Sequence, residues 1–266
     1  MINEKFMPEG WDNVVSTLDK TNIEKAIENN LTLQGIVINC DNNYNLHLDL
    51  GSCKGIIPRD EVEAIHLQPD GLPKTNLCVG KVHKFVQFKV KEVEEDGTAI
   101  LSRRNVQNEA LNWVKNSLQV GDIVTGIVKR VESYGAFIEI GGGVVGLAHI
   151  EDLSVARIKT PFERVKIGQK LNVMVKSIDR NDGKVILSYK ELLGTWEENA
   201  NKFEVGQKTK GIVRETEKNK NGIFIELTPN LVGMAEYKDG LVYGENVDVY
   251  IKRIDYERRK VKLFIV

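Results

Sequence analysis

No stretch of the sequence approaches eighteen consecutive apolar residues, which argues against a transmembrane helix. Met1 to Gly10 lacks the apolar centre of a secretory signal, so a soluble, cytoplasmic protein with no membrane partner is the expectation. Cysteine is scarce. Cys40, Cys53 and Cys78 form no Cys-x-x-Cys pair and have no histidine at ligand spacing, so they read as buried reduced thiols with no metal site. Charge of one sign is also missing: the formal net charge of the 266 residues is −1, which carries no strong message about partners. No phosphate-binding loop is present either, because Gly141-Gly142-Gly143 is not followed by Gly-Lys-Ser/Thr and opens no helix; it reads as a hairpin turn. The carboxylates are scattered along alternating segments as solvated faces. No catalytic residue, cofactor or metal is expected, and the chain reads as a non-enzyme.

What is present is repetition. Gly35-Ile36-Val37, Gly126-Ile127-Val128 and Gly211-Ile212-Val213 open three similar stretches 91 and 85 residues apart. A second glycine follows 20, 20 and 22 residues later (Gly55, Gly146, Gly233), and a third (Gly80, Gly168, Gly244) precedes a closing segment in each copy. Solenoid units recur every 20–50 residues or so, so a spacing this long means complete small domains in series. Copies of about 60 to 75 residues lie near the size at which one core is marginal. The charge is unevenly spread: −3 over residues 1–29, −1 over 30–104, +3 over 119–190 and +2 over 204–266. The weak positive balance falls on the second and third copies, as expected if those meet phosphates.

Alternation of polar and apolar residues predicts five strands per copy. In the second copy they are 122–131, 136–140, 144–149, 170–178 and 184–188; in the first, 32–38, 45–50, 55–57, 81–93 and 98–102; in the third, 207–215, 223–227, 231–235, 246–254 and 260–265. Five short strands with turn glycines make a small, partly open barrel of the OB type. The fold expected is all-β with helical linkers, three tandem barrels in a row. An N-terminal helical segment (1–29) leads into barrel 1 (30–104, degenerate), a linker helix (105–118), barrel 2 (119–190, intact binding face), a second linker helix (191–203) and barrel 3 (204–266, degenerate and shortened). Val106, Ala110, Trp113 and Val114 share one helical face, as do Leu192, Leu193, Trp196 and Ala200, so each tryptophan is expected to pack its linker on an adjoining barrel. In the third copy Gly233 and Gly244 are only 11 residues apart, against 25 and 22 in the others, leaving little room for a helix that plugs the barrel. That barrel is expected to lean on a neighbour or to offer a protein-docking end.

The second copy carries candidate binding chemistry. Tyr134 and Phe137, three apart, would face opposite ways on a regular strand. A bulge at Gly135 would re-phase the strand and turn both rings outward. Two outward rings form a platform for unpaired bases, at roughly 1–3 kcal/mol per stacked base. The alternative is that one ring closes the core.

Val120-Gly121-Asp122, Gly126-Ile127-Val128, the run Tyr134 to Gly141, the run Gly146 to Ile150 and Val185-Ile186-Leu187-Ser188 together closely resemble an S1 RNA-binding domain over residues 119–190. Tryptophan-bearing helices between copies are similar to those of the bacterial ribosomal protein S1 family. The resemblance implies an RNA contact for His149, a phosphate contact for Lys184, and a base or ribose-hydroxyl contact for Asp179. Without it, His149 reads as a surface or satisfied core residue, and Asp179 and Lys184 as turn charges. In the first copy Tyr44, His47 and Pro58 fall at the positions of Tyr134, Phe137 and His149; in the third, Asn221, Phe224 and Glu236 do, with Asp255 and Lys260 retaining the hairpin pair. The reading is a non-enzymatic protein whose second barrel binds single-stranded RNA; the resemblance implies mRNA as that RNA, in translation, with the small ribosomal subunit as a partner, and beads on helical linkers are expected to be monomeric. An adaptor whose degenerate outer barrels dock ribosomal, transcription or RNA-decay machinery is the rival reading.

Overall fold

The structure, a computed structural model, describes residues 2–3, 6–65, 67–215 and 222–266. The first barrel contains β2 (Leu33–Cys40), β3 (Leu46–Asp49), β4 (Lys54–Ile57), β5 (Phe85–Val93) and β6 (Ala99–Ser102), preceded by β1 (Ile2–Asn3) and helix α1 (Lys20–Glu28). Helices α2 (Thr75–Val79) and α3 (Arg103–Asn116) lie within it and after it. The second set is β7 (Ile123–Glu132), β8 (Gly135–Gly141), β9 (Val144–His149), helix α4 (Ile150–Leu153), β10 (Lys170–Asp179) and β11 (Lys184–Ser188). Helix α5 (Trp196–Ala200) leads to the third: β12 (Lys208–Glu215), β13 (Ile223–Thr228), β14 (Leu231–Ala235), β15 (Asn246–Asp255) and β16 (Lys260–Ile265).

All three sets share one strand order. The first closes as β2-β3-β4-β6-β5, the third as β12-β13-β14-β16-β15, and the second as β7-β8-β9-β11-β10 with β1 added beside β7. The parallel step in each barrel, β4 with β6, β9 with β11 and β14 with β16, follows from threading a crossover between the third and fourth strands. Apolar residues alternate inward: Val86, Phe88 and Val90 fill the first core, and Val249, Ile251, Val261 and Leu263 the third. The fold is thus three closed five-stranded barrels of mixed pairing.

By contacts the chain forms two compact units, one of residues 1–127, 138–146 and 178–185 and one of 128–137, 147–177 and 186–266. In the first unit α3 buries a stripe at 103, 106, 107, 110, 113 and 114, a helical period that includes Arg103 and Gln107. Trp113 packs on Phe6 with centroids 5.5 Å apart. The Arg103 guanidinium, 2 % exposed, holds Glu9 through Nε (2.6 Å) and Nη2 (3.1 Å), with Nη1 2.9 Å from Glu63 and donating to Val62 O at 3.0 Å. Gly141, Gly142 and Gly143 all take positive φ, as the hairpin reading requires, and a side chain at Gly143 would collide with that guanidinium. Burial alone would raise the Glu9 carboxyl, but the charges of Arg103 and Lys81 and hydrogen bonds from Arg103 and Gln87 N outweigh it and bring it from 4.5 to about 2.

In the second unit Ser154 Oγ donates to Pro229 O at 3.0 Å, and Arg164 and Arg214 both hold Glu226 at 2.5 Å. The third barrel therefore leans on the segment after α4, and its β14–β15 connection carries no helix among the described residues.

Four sequence expectations need correction. Among the described residues the N-terminal segment is helical only over Lys20–Glu28; before it Ser16 N and Leu18 N donate to Gln34 O and Leu50 O, so the chain there runs along barrel 1 instead of coiling. The second linker is broken, because Gly194 takes φ +86° and Thr195 then starts a new helix with a Thr195–Glu198 capping box. Residues 81–84 form turns with His83 at φ +61°, so the fourth strand of barrel 1 starts at Phe85. Of the three thiols only Cys78 is buried; Cys40 and Cys53 are half-buried, and burial pushes all three thiols up, keeping them protonated.

Candidate nucleic-acid interface

Strand β7 ends at Glu132 and β8 starts at Gly135, so Ser133 and Tyr134 form a two-residue turn. Strand alternation therefore does not bind Tyr134, and the proposed bulge at Gly135 is not what frees its ring. Gly135 does something else: a side chain there would strike Ala148 O and lie 3.1 Å from the His149 Cα. Its bareness lets the end of β9 close onto the turn, and Ile150 N clamps it by donating to Tyr134 O at 2.8 Å.

This brings Tyr134, Phe137 and His149 together. The two rings meet edge to face, centroids 6.1 Å apart at 84°, with Tyr134 47 % exposed and Phe137 half-buried. His149 is half-buried and caps α4, its Nδ1 accepting from Glu151 N at 3.5 Å, which leaves Nε2 as the other polar edge of the ring.

Sequence reasoning missed Arg130. Its guanidinium carbon sits 4.1 Å from the Phe137 centroid while the side chain stays 59 % exposed and lies 3.6 Å from Glu132. A cation stacked on one face of Phe137 keeps its charge exposed at the rim of the ring pair. Counting back from a two-residue turn at 133–134 sets residue 130 across from 137, so the turn length was the usable signal. Beside α4, Lys176 reaches Asp152 at 2.7 Å and Lys190 reaches it at 3.5 Å.

Asp179 and Lys184 bound the turn of the β10–β11 hairpin, whose tip, residues 178–185, belongs to the first compact unit. Both are exposed. Asp179 Oδ1 accepts from Asn181 N (3.0 Å) and Asp182 N (3.3 Å), so its carboxylate shapes the turn, and Lys184 pairs with Asp182. That ion pair lowers the Asp182 carboxyl and raises the Lys184 ammonium from their ordinary values.

The outer barrels differ at the same positions. Tyr44 takes φ +66°, packs against the first core and lies under the Arg59 guanidinium at 5.2 Å, while His47 is occupied with Asp41 at 3.1 Å. In the third barrel Phe224 is 42 % exposed and Glu236, its side chain 90 % exposed, lies 3.9 Å from Lys252; Asn221 lies outside the described residues. Asp255 pairs with Arg253 at 3.2 Å and faces Lys260 across the hairpin.

A family model described as the S1 RNA binding domain matches residues 117–190. The small ribosomal subunit protein bS1 of Staphylococcus aureus (strain MRSA252) is 36 % identical over 197 residues, covering 68 % of this chain and 50 % of that protein. The chain thus spans about half the length of such curated relatives. A 4-hydroxy-3-methylbut-2-enyl diphosphate reductase of Clostridium acetobutylicum is 30 % identical over 262 residues, 91 % of this chain and 39 % of that protein. Among solved structures, GSP13 from Bacillus subtilis is 25 % identical over 33 % of this chain and 74 % of that one, with a TM-score of 0.29. The chain belongs to the bacterial ribosomal protein S1 family, with residues 117–190 as its matched S1 domain.

Proposed function

We propose that the chain is a non-enzymatic, cytoplasmic single-stranded RNA-binding protein that holds mRNA for translation through its second barrel. Unpaired bases stack on Tyr134 and the free face of Phe137, His149 stacks or hydrogen-bonds beside them, and Arg130 meets the backbone phosphate. On the β10–β11 hairpin Lys184 takes a phosphate and Asp179 a base or ribose hydroxyl. Residues 30–104 and 204–266 are degenerate copies that lack the full trio. The observation that carries this reading is the exposed edge-to-face pair of Tyr134 and Phe137 with Arg130 on its rim. The family match and the name of the Staphylococcus aureus relative support the choice of RNA and of the small ribosomal subunit as the partner.

The test uses the full chain. Tyr134→Ala with Phe137→Ala removes both stacking faces, and at roughly 1–3 kcal/mol per stacked base the affinity for a short unstructured oligoribonucleotide falls by about a hundredfold or more. Unchanged binding would move the site elsewhere. Cosedimentation with ribosomal subunits from cell extract tests the translational role, and recovery in a fraction free of subunits would favour the adaptor reading.

A further inference from the structure

The first two barrels fill the connection after their third strand with buried side chains: α2 sinks Cys78 into the first core, and the β9–β10 connection buries Pro161 and Val165. The matching connection of the third barrel, residues 236–245, is short and carries no helix. It leaves a pocket of about 460 Å³ whose apolar lining is Leu241, Val247 and Ile265, the first and last only half-buried against the core. Beside the pocket runs a row of outward residues. Lys208 on β12 faces Tyr250 on β15, and Tyr250 faces Phe264 on β16. Tyr250 is 40 % and Phe264 57 % exposed, two rings open to water on adjacent strands. Lys210 and Asp248, two residues along the same strands, face each other and line the pocket, so rings and pocket share one end of one sheet.

Charge decides what suits this surface. Among the described residues Lys210 and Lys238 enter no ion pair, while Glu245 and Asp248 also line the pocket and Glu236, its side chain 90 % exposed, heads the connection. A polyanion would meet carboxylates here, and a peptide of one sign would satisfy half the rim. A second copy of the chain brings both signs together with an exposed ring. We propose that this end of the third barrel is a self-association surface, on which Phe264 of one copy enters the pocket of a second copy and the exchange is reciprocal about a twofold axis. Such a contact is self-complementary, setting Lys210 and Lys238 of each copy against Glu236 and Glu245 of the other. Three strands about 4.8 Å apart and five residues at about 3.4 Å each make a face of roughly 14 Å by 17 Å, small beside the roughly 800 Å² per partner of a stable interface. The dimer is therefore weak, and the expected monomer holds at low concentration. The proposal does not depend on the reading of the second barrel as an RNA site.

Sedimentation velocity on the full, nuclease-treated chain from about 1 to about 300 µM spans the range in which a weak dimer dissociates. The average mass should climb toward twice that of the monomer. Phe264→Glu removes the ring, and Asn246→Trp, at an exposed position of the pocket wall, fills the pocket. Each variant, with a melting curve matching the parent, should raise the dissociation constant by at least about tenfold, as loss of an aromatic anchor requires. Mixed in equal amounts, the two should associate more tightly than either alone, because an intact ring then finds an intact pocket; a folding defect or a general charge effect gives no such rescue. A parent that sediments as a monomer throughout, variants that associate like the parent, or a mixture no tighter than its components would each overturn the proposal. So would association that appears only when an oligouridylate is added, which would assign the surface to RNA.

Discussion

Replacing the buried Arg103 by methionine should strongly destabilise the first compact unit. The guanidinium satisfies Glu9 twice and Glu63 once, and those carboxylates are 5 % and 8 % exposed. Methionine fills much of the volume but leaves Glu9 charged with neither bond. Lys81, at 3.2 Å from Glu63, still compensates that second group. Removing one partner of a buried ion pair costs about 3–5 kcal/mol, which in a unit of this size lowers Tm by roughly 10 °C. Calorimetry measures the shift, and fluorescence of Trp113, isolated by Trp11→Phe and Trp196→Phe, assigns it to the first unit. Arg103→Met with Glu9→Gln should recover part of the loss, because the buried charge that has lost its guanidinium is gone; the non-additivity in that cycle is the signature of the pair. A single variant within about 2 °C of the parent, or strictly additive losses, would refute the claim that the cluster is an interdependent charged core.

Other consequences follow from the same geometry. Because the Glu9 carboxyl is held at about 2 against 4.5 when free, its contribution is complete above the unfolded value and is lost as pH falls from 4.5 toward 2; acid titration of stability should show this slope and Glu9→Gln should flatten it. Gly135→Ala should push β9 off the turn, lowering both stability and oligonucleotide affinity, measured by melting and anisotropy, whereas a change at Gly97, where a side chain meets nothing within 4 Å, should leave affinity untouched. Arg130→Ala should weaken RNA binding by up to tenfold and reduce its salt dependence by less than one phosphate contact, since the guanidinium acts partly through the ring. Thr195→Ala removes the α5 cap and should cost about 1 kcal/mol in the second unit, read by chemical denaturation.

The barrel strands were legible because alternation with period two and turn glycines are local signals: the strands read at 144–149, 184–188, 231–235 and 260–265 have the observed bounds. The linker helix α3 was legible through Val106, Ala110, Trp113 and Val114, but Arg103 and Gln107 on the same stripe were not recognised as buried. Polar residues at core spacing look like errors in a pattern until their partners, Glu9 and Glu63, arrive from 94 and 40 residues away in sequence. The end of the second linker failed for a different reason: Leu192, Leu193 and Trp196 keep helical spacing, while the left-handed backbone at Gly194 interrupts it. At the candidate site the meeting of Tyr134 and Phe137 was legible and its cause was not. Tyr134 escapes alternation by sitting in a turn, and Arg130 is invisible until the turn length is known.

Strand β6 ends at Ser102 and α3 begins at Arg103, with Ser102 Oγ accepting from Asn105 N at 2.9 Å, so barrel and helix are joined without a single slack residue. Torque on the helix has no loop in which to dissipate. A pull along α3 would act first on the seam between β6 and its neighbours β4 and β5, making the closing strand of the first barrel the mechanical fuse of this half of the molecule.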